Sequence, residues 1–290
     1  MAKTVAGAFS DCLRHLELTA NQRAQLESRR ATTHGYLAEA FGDTSDMPLV
    51  RTALIGSASR DTIIRPFDDI DVLAVFGHAP DVYKRYRADS RQFLYRVRDA
   101  LARFNIRVVG ARGQAVRLFY RVSPHVDVAP VLPHADGGYL LPAGDGSWIR
   151  TDPGAQARWL GTKRRTAGEN LKPLIRLAKQ WNRAHSDRLK SFHLEVVVAS
   201  TFRTVGSLPD SAARFFEWAP GHIAVGDPAG HADDLSSYLT RRARQDVIDS
   251  LAAAADRAEK AGSADTNGKT QKAIEQWQIV FGDTMFPAFG

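Results

Sequence analysis

The sequence predicts a strand-bearing α/β or α+β unit followed by a helical one. Three observations carry that expectation. Between residues 50 and 131, short apolar runs of strand length surround one helical segment. From about Asp152 onward, apolar residues recur at helical spacing. The length, 290 residues, suits about two domains or one large one.

The elements follow in order. Residues 9 to 41 predict one long amphipathic, Arg-rich helix with Leu13, Leu16, Leu26, Tyr36, Leu37, Ala40 and Phe41 on its apolar side. Gly42 to Pro48 break it. Strands are predicted over Val50 to Ile55, Ile70 to Phe76, Arg107 to Val109, Val116 to Val122 and Val126 to Val131. A helix over Val82 to Phe104 lies between the second and third, as a crossover would. Asn170 to Ala184 is the clearest helix: Leu171, Leu174, Ile175, Ala178 and Trp181 share one face. Lys172, Arg176, Lys179 and Arg183 form a basic stripe opposite, a pattern that usually marks a solvated face. Residues 191 to 204 and 234 to 260 predict further helices, 262 to 270 a polar linker, 271 to 281 a last short helix, and 282 to 290 a fraying tail. The expected division is residues 1–48 as an N-terminal helix on the core, 49–160 as the core, and 161–290 as a helical C-terminal domain.

Composition excludes several classes. With 44% hydrophobic and 24% charged residues, the chain can bury a full core and is not globally disordered. The single cysteine, Cys12, excludes an intrachain disulfide and a cysteine-based zinc site, and suits a reducing cytoplasm. The longest apolar runs, such as Val72 to Phe76, fall far short of a membrane span. The net charge of +7 attracts something anionic, polynucleotide or nucleotide phosphate.

The chemistry concentrates in carboxylates. Asp69 and Asp71 are two apart at the start of an apolar strand, so they project from one face while Ile70 and Val72 point to the other. Two like charges this close call for a cation, and hard oxygen ligands suit Mg²⁺. Asp127 lies within a second apolar strand, in Val126-Asp127-Val128. If the two strands pair, three carboxylates meet on one face, enough to hold two metal ions. Gly56-Ser57 follows the first strand, and such a pair can cradle a phosphate. Each feature has a bland counterpart: a solvated turn for Asp68, Asp69 and Asp71, an ordinary turn for Gly56-Ser57, and a buried Asp127 satisfied by a neighbouring Arg. All three in this order favour the metal reading. His125, His134, His222 and His231 are dispersed, without metal-ligand spacing.

At this point the residues resemble a known family. Gly56-Ser57, then Arg65-Pro66-Phe67-Asp68-Asp69-Ile70-Asp71-Val72, then Val126-Asp127-Val128-Ala129-Pro130-Val131, resemble the DNA polymerase β-like nucleotidyltransferases. Within them they resemble the bacterial cGAS/DncV-like nucleotidyltransferases (CD-NTases, SMODS-type). Trp148-Ile149-Arg150-Thr151-Asp152-Pro153, Lys179-Gln180-Trp181-Asn182 and Ser191-Phe192-His193-Leu194-Glu195 support the narrower match. The resemblance runs from about residue 50 to 240. One departure is Asp61, where relatives often have Gly.

The resemblance implies an α+β fold: a polymerase β-like nucleotidyltransferase core with a mixed sheet, plus a helical C-terminal domain. It implies Asp69, Asp71 and Asp127 as catalytic metal ligands for two Mg²⁺ ions, with Mn²⁺ as a substitute. Gly56, Ser57, Lys179 and Ser191 would bind the triphosphate. The implied activity joins NTPs without a template into a cyclic di- or oligonucleotide, releasing pyrophosphate, in antiphage signalling. Implied partners are the NTP substrates, a separate effector switched on by the product, and a conjugation or regulatory partner at the C-terminal Gly290. No membrane and no obligatory nucleic acid is implied. The rivals are a CCA-adding or poly(A)-type enzyme acting on RNA, and a non-catalytic RNA-binding module.

Overall fold

A computed structural model describes residues 2–77 and 82–290. The chain forms two compact units, one of Leu18–Arg60 and Phe67–Ala157, the other of Met1–Glu17, Asp61–Pro66 and Arg158–Gly290. The fold class is the expected α+β with a mixed sheet.

In chain order the helices are α1 (Val5–Leu16), α2 (Ala20–Ala40), α3 (Gly56–Ser59), α4 (Val82–Tyr86), α5 (Ser90–Leu101), α6 (Pro153–Ala167), α7 (Leu171–Ala184), α8 (Ser191–Thr201), α9 (Leu208–Trp218), α10 (Arg241–Thr266) and α11 (Thr270–Phe281). The strands are β1 (Leu49–Leu54), β2 (Asp69–Phe76), β3 (Val108–Arg112), β4 (Ala115–Phe119), β5 (His125–Pro133), β6 (Tyr139–Pro142) and β7 (Trp148–Thr151).

The single helix expected over residues 9 to 41 is two helices. Thr19 stops continuity by capping α2: its side chain accepts from the Gln22 backbone N–H, and the Gln22 side chain accepts from the Thr19 N–H. The helix expected over 82 to 104 likewise divides, with Asp89 capping α5. Residues 262 to 266, expected as linker, continue α10, because Ala254, Ala258 and Ala261 keep one small-residue face buried against α11.

In the sheet unit the strand order is β1-β2-β5-β4-β3, with β6 on β5 and β7 on β6. β2 and β5 run parallel, and the other pairings are antiparallel. Ile70, Val72, Ala74 and Phe76 are buried on one face of β2. On the opposite face Asp69 and Asp71 are exposed, while Leu73 and Val75 join Val131 and Leu141 in a small core. The strand therefore reads polar at its start and apolar on both sides beyond.

The helical unit has its own core. Phe9 of α1 meets Trp277, Phe281 and Phe286 edge to face, with ring centroids 5.0–5.6 Å apart. Trp181 and Phe216 extend the cluster. The tail does not fray as expected: Phe286 is fully buried, and Ala2 N–H donates to the Ala288 carbonyl at 3.0 Å.

Candidate active site

The parallel register of β2 on β5 puts Asp71 opposite Asp127, and Asp69 opposite His125. The antiparallel register of β4 puts Arg117 opposite Asp127. Side-chain alternation then sets Asp69, Asp71, Asp127 and Arg117 on one face. Arg117 donates from Nε to Asp127 Oδ1 at 2.8 Å and from Nη2 to Asp69 Oδ2 at 3.1 Å. Asp69 is half exposed; Asp127 is only 21% exposed. Burial raises the Asp127 pKa above the usual carboxylate range, against the opposing pull of the Arg117 hydrogen bond and charge.

Asp71 is held differently. Its backbone carbonyl accepts from Ile55 N–H at 3.0 Å, which brings β2 beside the start of α3. Gly56 has φ +64°, and a Cβ there would overlap the Asp71 carboxylate. Gly56 is thus required twice, by its backbone and by the side chain beside it. Ser57 follows in the single turn of α3 and is partly buried. Among the described residues, no three His, Cys, Asp or Glu side chains are gathered closely enough to hold a metal ion. Asp127, partly buried, accepts from Arg117, the kind of contact that its bland reading would require. The position of Arg117 was missed because only the β4–β5 register reveals it. His125 also shares the carboxylate face, where its Nδ1 lies 3.3 Å from the Tyr120 backbone N–H.

In the helical unit the basic stripe of α7 is not solvated. Each of its cations contacts residues 61–65. Lys172 and Arg176 pair with Asp61 at 3.5 and 3.2 Å, and Arg176 also binds Glu17 at 2.8 Å. Lys179 donates to the Thr62 carbonyl at 3.0 Å and pairs with buried Glu195 at 2.5 Å. Arg183 donates to the Arg65 carbonyl at 2.8 Å. Asp61 has φ +56°, the left-handed region that favours glycine.

Lys179 and Ser191 share the wall of a cavity of about 100 Å³ with Asn182 and Arg183. Ser191 is exposed and opens α8, whose cap is Lys190 without a side-chain bond. Asn170 caps α7 by position only; its amide donates to the Gly206 carbonyl at 2.8 Å. His193 is buried between the Tyr238 hydroxyl and the Ile223 carbonyl, a packed helix residue.

Comparison with known proteins adds independent findings. A family model for the Second Messenger Oligonucleotide or Dinucleotide Synthetase domain matches residues 3–163. A cyclic AMP-AMP-AMP synthase of Escherichia coli (strain MS 115-1) is 24% identical over 318 residues, covering 97% of both chains. A probable cyclic nucleotide synthase of Bacillus cereus (strain VD146) is 24% identical over 330 residues, covering 99% of both. Among solved structures, E. coli MS115-1 CdnC in complex with HORMA-deltaN matches with TM-score 0.79 at 21% identity, covering 97% of this chain and 98% of that one. Vibrio cholerae DncV cyclic AMP-GMP synthase, with a linear intermediate, matches with TM-score 0.74 at 18% identity and 93% coverage of each.

Proposed function

The chain belongs to the Second Messenger Oligonucleotide or Dinucleotide Synthetase domain family, and on that premise we propose that it joins NTPs, without a template, into a cyclic di- or oligonucleotide and releases pyrophosphate. It has the polymerase β-like nucleotidyltransferase fold of its structural relatives. The observation that carries the reading is the register pair Asp71–Asp127, with Asp69 on the same face and Gly56 packed against Asp71.

The chemistry of the donor set suits a divalent cation. All three donors are hard carboxylate oxygens, and a cationic group already rests on two of them. Asp69, Asp71 and Asp127 would hold two Mg²⁺ ions, with Mn²⁺ as a substitute. When bound, such ions stabilise charge on the entering and leaving oxygens of an in-line displacement. Gly56 allows close approach of a triphosphate to the backbone, and Ser57 adds a hydroxyl donor. On the family resemblance, Ser191 and Lys179 of the helical unit are proposed as further triphosphate ligands; Lys179 now bonds to Thr62 and Glu195.

The test uses labelled NTPs and Mg²⁺ without RNA, followed by phosphatase. Phosphatase-resistant label that disappears in Asp71→Asn supports the reading. Label entering only added RNA sinks it and favours the RNA-directed rival. Because one relative bears the name cyclic AMP-AMP-AMP synthase, an adenine-only ring is the first product to seek by mass spectrometry. The proposal includes cytoplasmic action. No helix among the described residues is long and apolar enough to cross a membrane. It also includes an antiphage role, a separate effector that binds the product, and a regulatory or conjugation partner at the exposed Gly290. Deleting Gly290 and finding conjugation to cellular targets unchanged removes that last element.

A further inference from the structure

We infer that Arg117 is a resident counter-cation: it holds Asp69 and Asp127 in the metal-free protein and gives way when a divalent ion binds. The inference rests on reading Asp69, Asp71 and Asp127 as metal ligands. Its first support is geometric. One guanidinium spans two strands, with Nε on Asp127 of β5 at 2.8 Å and Nη2 on Asp69 of β2 at 3.1 Å. Asp127 and Asp69 would repel without it, and a bridging cation offsets that repulsion.

The second support is competition. A divalent ion shared by these carboxylates needs the oxygen lone pairs that Arg117 now uses. Arginine cannot relieve the conflict by losing its proton, so it must move. It has room to do so. Its side chain is 27% exposed, so the guanidinium can turn toward solvent, and the Phe119 ring, 5.4 Å from its guanidinium carbon, supports the cation beside the carboxylates. The third support is the state of the site. Two of the three carboxylates are drawn to Arg117, while Asp71 packs against Gly56, and among the described residues the three do not converge.

A rival role makes the opposite prediction. If Arg117 only orients the carboxylates and stays in place, its loss weakens metal binding. Mn²⁺ titrated into the full chain without nucleotide, read by calorimetry or electron paramagnetic resonance, separates the two. Arg117→Gln is expected to bind Mn²⁺ roughly three- to tenfold tighter than wild type, the scale of losing a partly exposed ion pair. Its metal-free form is expected to melt below wild type, with the gap narrowing at saturating Mn²⁺. Arg117→Lys, which keeps the charge but cannot bridge both carboxylates, is expected to fall between, and it carries the test if Arg117→Gln does not fold. Unchanged or weaker Mn²⁺ binding in these variants overturns the inference while the ligand reading stands. If wild type binds no Mn²⁺, or Asp71→Asn binds it as well as wild type, the ligand reading itself fails and the inference with it.

Discussion

The Asp71 carboxylate fills the space that a side chain on Gly56 would need. The two residues are fifteen positions apart in sequence, and the Ile55–Asp71 backbone hydrogen bond brings them together. Gly56→Ala is therefore strained twice, by φ +64° and by overlap. It should cost about 1–2 kcal/mol from the backbone alone. Displacement of Asp71 should remove most product formation besides. Thermal melts and product chromatography check both, and a fully active Gly56→Ala contradicts the packing described.

Asp61 combines a left-handed backbone with ion pairs to Lys172 and Arg176. Asp61→Gly loses the pairs but relieves the strain, and should stay within about 1 kcal/mol of wild type. Asp61→Ala loses the pairs and keeps the strain, so it should be less stable than the glycine variant by about 1 kcal/mol. Urea unfolding of the three proteins gives the order.

Glu195 is almost fully buried, accepts from the Thr62 hydroxyl at 2.8 Å, and pairs with Lys179. Glu195→Ala leaves an ammonium buried without its partner and should cost about 3–5 kcal/mol. The double variant Lys179→Met, Glu195→Leu should be more stable than Glu195→Ala alone, because it buries no unpaired charge. A double variant no better than the single one argues that Thr62 and its neighbours, not the charge, set the cost.

His193 has its pKa lowered by burial below the ordinary 6.5. In the window between the folded value and 6.5 the unfolded chain binds the extra proton, so stability rises with pH there. Stability should be complete above about pH 6.5, fall as the pH drops from there toward the folded value, and level off below it. Melting temperatures from pH 8 to 5 should drop on the acid side in wild type, and drop less in His193→Gln.

The site was legible in sequence where periodicity alone fixes direction. Asp69 and Asp71 had to share a face of any strand they began. That Asp127 would lie opposite Asp71 needed the β2–β5 register, and that Arg117 would complete the row needed β4 as well. Neither pairing is local. The capping box that divides α1 from α2 was written as Thr19-Ala20-Asn21-Gln22, yet the longer apolar periodicity masked it. α9 also had local signs, Ser207 as cap and Pro209 in its first turn. β6 and β7 span four residues each, too short for an alternation to stand out. The basic stripe on α7 was visible, but its purpose was not, since residues 61–65 lie more than a hundred positions away in the chain.

The parallel pairing of β2 with β5 matches residue for residue from Asp69–His125 to Val75–Val131 without a bulge. Such a ladder has no slack: sliding either strand by one position would turn its carboxylates to the opposite side of the sheet. Lengthening or shortening the chain by one residue within 69–75 or 125–131 should therefore abolish the site outright. The same change in the turn at 134–138 should leave it standing. The places where this protein tolerates gaps are set by that ladder rather than by distance from the carboxylates.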